Sequence, residues 1–168
     1  MIPVMRITRL FFVLLLLGAG AIQAGAAGPA EGGVRIAHVY FGWRDADSFK
    51  RIAEYFDGRE HTGGQVILRT HPKQRSGYYF LARLAHTGAS VETRLVLQII
   101  TPEAAAPKVF QFSATLPDHD IVLNLGLTGA DWPDKSVNVV AWKLEVLGPG
   151  DKLLATETSY LWDKPVGR

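Results

Sequence analysis

The chain reads as all-β: an antiparallel β-sandwich of about eight strands, with one short helix after the first strand lying over it. Two observations carry that reading. Apolar and polar residues alternate in short blocks separated by turn residues, which is the signature of half-buried strands. Helical periodicity is confined to one place, FGWRDADSFKRIAEYFDGRE, and no helices alternate with the strands as a parallel α/β sheet requires.

The blocks run in order as VRIAHVYF, QVILRTH, GYYFLARLAH, VETRLVLQIIT, KVFQFSA, DIVLNLGLTG, SVNVVAWKLEVLG and LLATETSYLW. Alternation sets Leu95, Leu97 and Ile99 against Arg94 and Gln98, and Phe110 and Phe112 against Gln111 and Ser113. It places Ile121, Leu123, Leu125 and Leu127 inward, with Asn124, Gly126 and Thr128 on the opposite face. Val140, Trp142, Leu144 and Val146 form the inward set of the seventh block, so Trp142 is a core residue.

The links carry turn chemistry. His86 to Ser90 reads as a hairpin loop, and Gly148-Pro149-Gly150-Asp151 as the tightest hairpin turn. Thr101 to Pro107 is bounded by prolines and reads as the place where the chain crosses between sheets. Strand spacing suits an immunoglobulin-like or fibronectin-like arrangement, with a jelly roll as the alternative. The cysteine pair of antibody domains is missing, since the chain has no cysteine. One domain is expected over residues 34–163.

The helix is expected from about Asp47 to Phe56. Asp47 can cap it, Gly58 can sit left-handed beyond its end, and Phe49, Ile52 and Phe56 recur on one helical face. Asp47 and Arg51 would pair four residues apart on the exposed side. The apolar stripe is expected to cover the sandwich, because exposed sheet edges invite aggregation.

Ahead of the strands, MIPVMRITRLFFVLLLLGAGAIQAGAAGPA has Arg6 and Arg9, an apolar run from Leu10 to Ala21, and small residues around Ala24 and Ala26. This is the three-part layout of a secretory signal peptide, residues 1–26, cleaved so that the mature chain starts between Gly25 and Gly28. The apolar run is shorter than the ~20 residues of a spanning helix, so no stable membrane span is expected after cleavage. Lipoprotein acylation is excluded by the lack of cysteine. A mature chain of about 140 residues can fold without disulfides. The expected location is therefore periplasmic or extracellular.

Charge argues against a nucleic-acid partner. The 18 basic and 16 acidic residues become 16 and 16 once Arg6 and Arg9 are removed, so the mature protein is neutral. Nine Lys/Arg face five Asp/Glu between Arg35 and Arg83, which leaves room for an anion-binding face in the first half. The basic loop with Arg69, His71, Lys73 and Arg75 is the candidate, provided these side chains converge with Arg44 or Arg59 on a carboxylate, a phosphate or an acidic polysaccharide. Trp132, in a loop, is a second ligand-binding candidate, although plugging the end of the core is the plainer role for it.

Catalytic signatures are thin. There is no Gly-x-Ser-x-Gly elbow, no phosphate-cradling glycine loop followed by Lys, and no thiol nucleophile. The five histidines fall at no metal-binding spacing, and Asp118-His119-Asp120 reads as a solvated turn. Asp45-Ala46-Asp47 opens like a calcium loop, but Phe49 and Lys50 occupy positions that such a loop needs for a ligand and a glycine. No catalytic residue, metal site or cofactor is expected. The resulting expectation is an exported, non-catalytic binding or assembly module of the cell envelope. Its partner would be an envelope protein or an acidic polysaccharide. The alternatives are a carbohydrate-binding module or, further off, a hydrolase acting on an envelope substrate.

Overall fold

The computed structural model describes residues 33–163, and residues 1–26, expected to be a signal peptide, lie outside them. Eight strands occur where the alternation places them: β1 (Val34–Arg44), β2 (Val66–Arg69), β3 (Gly77–His86), β4 (Val91–Thr101), β5 (Ala104–Leu116), β6 (Ile121–Thr128), β7 (Ala141–Leu147) and β8 (Leu153–Thr158). They form two four-stranded sheets, ordered β1-β3-β6-β2 and β5-β4-β7-β8.

The inward faces of both sheets meet in a shared core. Phe80, Leu84, Leu95, Leu97, Ile99, Leu123, Leu125, Leu127, Leu144 and Val146 are all fully buried there. Such alternation is what one-sided burial selects, because each inward aliphatic or aromatic side chain contributes roughly 1.5–3 kcal/mol. Trp142 is buried as its alternation requires, edge-on to Phe80 with ring centroids 6.1 Å apart. Val140 departs from its expected inward set and is exposed, since pairing of β7 with β4 begins only at Ala141 opposite Ile100.

The strand order is that of an immunoglobulin-like sandwich. In that fold strands A, B, E and D make one sheet, and C, F and G the other, to which C′ can be added. Here β1, β3 and β6 stand as A, B and E, while β5, β4, β7 and β8 stand as C′, C, F and G. Position D is taken by β2, which comes between A and B in sequence and runs parallel to β6. One pair in the sandwich is thus parallel, where an antiparallel sheet was expected.

Two connections trade the roles that their composition predicts. Residues 101–107 do not cross between sheets: β4 and β5 pair directly in one sheet, with Thr101 opposite Ala104. Pro107 is tolerated inside β5 because that strand lies at a sheet edge, where an N–H need not be donated. The crossing is made instead by the His86–Ser90 link, since β3 and β4 belong to different sheets. Buried His86 holds that end of the molecule together through a 2.5 Å hydrogen bond from Nδ1 to the carbonyl of Pro117. The Gly148–Asp151 turn does close the β7–β8 hairpin, with Gly148 N–H donating to Lys152 O at 2.8 Å.

The largest departure is the helix. Residues 46–49 form a single 3₁₀ turn, Lys50 is extended at φ −67°, ψ 134°, and only a one-turn helix α1 (Glu54–Asp57) follows. Phe49 is buried, but Ile52 and Phe56 are 79% and 86% exposed. Asp47 pairs with Lys50 at 2.7 Å rather than with Arg51. Gly58 does end α1 in the left-handed region, at φ 67°.

Geometry explains the break. At 3.6 residues per turn, positions five apart sit about 140° apart around an α-helix axis, so Phe49 and Glu54 cannot face the sheet from one straight helix. Both do face it here: Phe49 packs on Tyr79 and Glu54 reaches Arg75. Isolated helices of this length are marginal in water, so the tertiary contacts decide.

Candidate functional site

The excursion between β1 and β2, residues 45–65, packs through Phe49 on the outward face of the β1-β3-β6-β2 sheet. Tyr78 and Phe80 point into the core, so Tyr79 between them points out, yet it is fully buried. Its cover is Phe49, with ring centroids 4.8 Å apart. Asn124, Gly126 and Thr128, which alternation places on the polar face of β6, are buried too: Asn124 meets Arg44, Gly126 lies against the Tyr79 ring, and Thr128 bonds to Thr70 and His71. Gly126 is required there, because a Cβ at that position would stand 2.5 Å from the Tyr79 ring.

Ion pairs ring this second layer. Arg69 at the end of β2 meets Glu60 in a two-pronged contact, Nη1 to Oε2 at 2.8 Å and Nη2 to Oε1 at 2.6 Å. Its Nε donates to the Tyr79 hydroxyl at 2.8 Å, and that hydroxyl donates to the carbonyl of Arg75 at 2.7 Å. Arg75 pairs with Glu54 at 2.6 Å and lies 3.4 Å from Glu60. The hydrogen bond from Arg69 holds the Glu60 carboxyl below its ordinary range, against the opposing effect of burial. Burial pushes the Tyr79 phenol up, although Arg69 pulls it the other way.

These contacts place the sequence candidates one by one. Arg69 and Arg75 do converge, but on the protein's own carboxylates, so each guanidinium is already neutralised. His71 lies 3.3 Å from Asp131, and its backbone is stitched to the end of β6: its N–H donates to Thr128 Oγ1 at 3.0 Å, and that hydroxyl donates to the His71 carbonyl at 3.1 Å. Lys73 is exposed on the same loop. Trp132 is 2% exposed and packs on Tyr78 with centroids 4.8 Å apart, so it plugs the end of the core. Asp118 and His119 form an exposed turn, 3.1 Å apart.

Arg44, the remaining candidate, behaves differently. Its guanidinium lies 4.1 Å over the Phe49 ring and reaches Asn124 Oδ1 at 3.5 Å, with no carboxylate in salt-bridge range among the described residues. It lines a small polar cleft, about 160 Å³, together with Lys50, Arg51, His61, Thr62 and Gln65.

Within the same excursion Ile52, Tyr55 and Phe56, spaced three and four residues apart along successive turns, are exposed at 79%, 80% and 86% and make up its apolar ridge. Tyr55 escaped the sequence reading because it is not on the Phe49 face of a regular helix. The signal was there in the composition: three large apolar residues within five positions of a segment rich in charge. Among the described residues there is no cluster of three or more His, Cys, Asp or Glu suited to a metal, and no helix long and apolar enough to cross a membrane.

No protein-family model matches the chain, and no curated protein matches it. Among solved structures, an immunoglobulin-like protein from Pseudomonas aeruginosa is similar over 78% of this chain and 96% of that one, at 21% identity and a TM-score of 0.32. The immunoglobulin-like assignment made above rests on the strand pairing within the two sheets.

Proposed function

We propose that the protein is an exported, non-catalytic β-sandwich binding module of the cell envelope that docks a protein partner through Ile52, Tyr55 and Phe56. The observation that carries this reading is the exposure of those three side chains on a segment whose base is firmly held. Single apolar residues on a surface are ordinary, but neighbouring large ones, rimmed by charge, mark interaction sites. Tyr55 and Phe56 add the rigid, aromatic contact area that dominates interface energetics.

The mounting supports the same reading. Phe49, Glu54 and Glu60 are fastened to the outer face of the sheet by Tyr79, Arg75 and Arg69. A ridge held in this way loses little conformational freedom when it binds, so more of the contact energy remains as affinity. An acidic polysaccharide as partner is less favoured, because Arg69 and Arg75, two of the cations that would hold it, are occupied by Glu60 and Glu54.

The test is recovery of a partner from envelope extract of the native organism, using the mature protein and an Ile52→Ser/Tyr55→Ser/Phe56→Ser variant. The reading expects a partner in fixed ratio with the native sequence and its loss with the variant, while both melt at the same temperature. Equal recovery with both forms would refute it.

A further inference from the structure

We infer that the cleft between the end of β1 and the Thr62–Gln65 turn is a binding site for a phosphate dianion, free or as the terminal phosphate of a sugar phosphomonoester. This inference is independent of the ridge and of its partner.

Charge accounting comes first. Four of the residues that line the cleft are basic, Arg44, Lys50, Arg51 and His61, and none is acidic. Two of the four are already matched: Lys50 pairs with Asp47 at 2.7 Å, and His61 with Asp57 at 2.6 Å. The guanidiniums of Arg44 and Arg51 have no carboxylate partner among the described residues; Arg51 has only a 3.4 Å contact from Nη2 to the Thr62 carbonyl. Nearby Asp45 is engaged elsewhere, accepting from Trp43 Nε1 at 2.9 Å. The wall of the cleft therefore presents two guanidiniums without a carboxylate partner, as many as a dianion has charges.

The site is also built. The Arg44 guanidinium carbon lies 4.1 Å from the centroid of the Phe49 ring, and this contact, with that to Asn124, holds the group at the wall of the cleft. Arg51 lies across a glycine turn: a Cβ on Gly63 would stand 2.6 Å from the Arg51 guanidinium carbon. Gly63 and Gly64 have φ of 62° and 81°, so the turn needs glycine for its backbone as well as for the space it leaves Arg51. A planar carboxylate is satisfied by one arginine fork, whereas donors arriving from separate segments, β1 and the turn after residue 49, suit a tetrahedral group. The cleft, about 160 Å³, has room for one phosphate.

The test is titration of the mature protein in phosphate-free buffer at constant ionic strength, followed through the backbone amide NMR signals of Gly63 and Gln65. The probes are inorganic phosphate, glucose 6-phosphate and galacturonate. Saturable shifts are expected with the phosphate probes and not with galacturonate. Binding of inorganic phosphate alone would identify the free ion, and equal or tighter binding of glucose 6-phosphate a phosphorylated sugar. Arg51→Gln, at an exposed position that leaves the fold intact, should weaken binding about tenfold, a change of about 1.4 kcal/mol. Arg44→Gln should do the same, with its melting curve as the check on folding. The inference is overturned by the absence of saturable shifts, by galacturonate binding as tightly as phosphate, or by full affinity in folded Arg51→Gln.

Discussion

Arg69 grips Glu60 through two parallel hydrogen bonds of 2.6 and 2.8 Å while its third donor reaches the Tyr79 hydroxyl. That contact ties residues 45–65, which have little regular structure of their own, to the outer face of a sheet that would otherwise be open to water. Its Arg69 side chain is only 6% exposed, so the pair behaves as a buried one.

Glu60→Gln should therefore cost about 3 kcal/mol, the lower end of the range for removing one partner of a buried pair, because Glu60 keeps 24% of its side chain in water. The pH dependence follows from the depressed carboxyl. A depressed acid stabilises the fold above its unfolded value, about 4.3, and that contribution is lost as pH falls through the folded value. Urea titrations from pH 7 down to 3 should show a steeper loss of stability in the native sequence than in Glu60→Gln. As a contrast, Asp151→Asn breaks an exposed pair with Arg94 and should change stability by less than about 1 kcal/mol.

Phe49 and Ile52 should separate cleanly in thermal or chemical denaturation. Phe49→Ala removes a buried ring packed between Arg44 and Tyr79 and is expected to cost about 3 to 5 kcal/mol. Ile52→Ala, at a 79% exposed site, should fall within about 0.5 kcal/mol of the native protein. A large loss at Ile52 would mean that the segment covers the sheet as one continuous helix.

Gly126→Ala probes the fit of the outer layer. The added methyl would meet the Tyr79 ring at 2.5 Å, and that ring is pinned by Arg69 and Phe49, so about 1 to 3 kcal/mol should be lost to overpacking. Loss of the Tyr79 near-ultraviolet circular dichroism signal should accompany it.

Trp142→Ala should cost about 3 to 5 kcal/mol, because Trp142 packs edge-on against Phe41 and Phe80 at 6.1 Å each. Equilibrium unfolding monitored by the remaining tryptophans provides the check.

The sandwich was legible because its period-2 pattern is a local property: Leu95, Leu97 and Ile99 must share a side in any strand, and Trp142 must share one with Leu144. What the pattern lacks is pairing. Nothing local distinguishes the His86–Ser90 link, which crosses between sheets, from the Pro102-Glu103 turn, which does not. The buried outward face of β6 was hidden for a similar reason, since Asn124 and Thr128 look solvated until Arg44 and the Thr70-His71 segment are brought against them. Of the candidate site, the sequence offered the convergence of Arg69 and Arg75 only as a condition, and nothing local pointed to the two glutamates that neutralise them from across the excursion. The stripe of Phe49, Ile52 and Phe56 gave a helical period to a segment whose ion pairs then outweighed it.

The most direct test of the proposed role places a photo-crosslinking residue at position 56, on the ridge, or at position 109, an exposed valine on β5, in cells of the native organism. The account predicts a discrete protein adduct from position 56 that is absent from position 109 and is competed away by unlabelled mature protein. No adduct from position 56, or the same adducts from both positions, would contradict it.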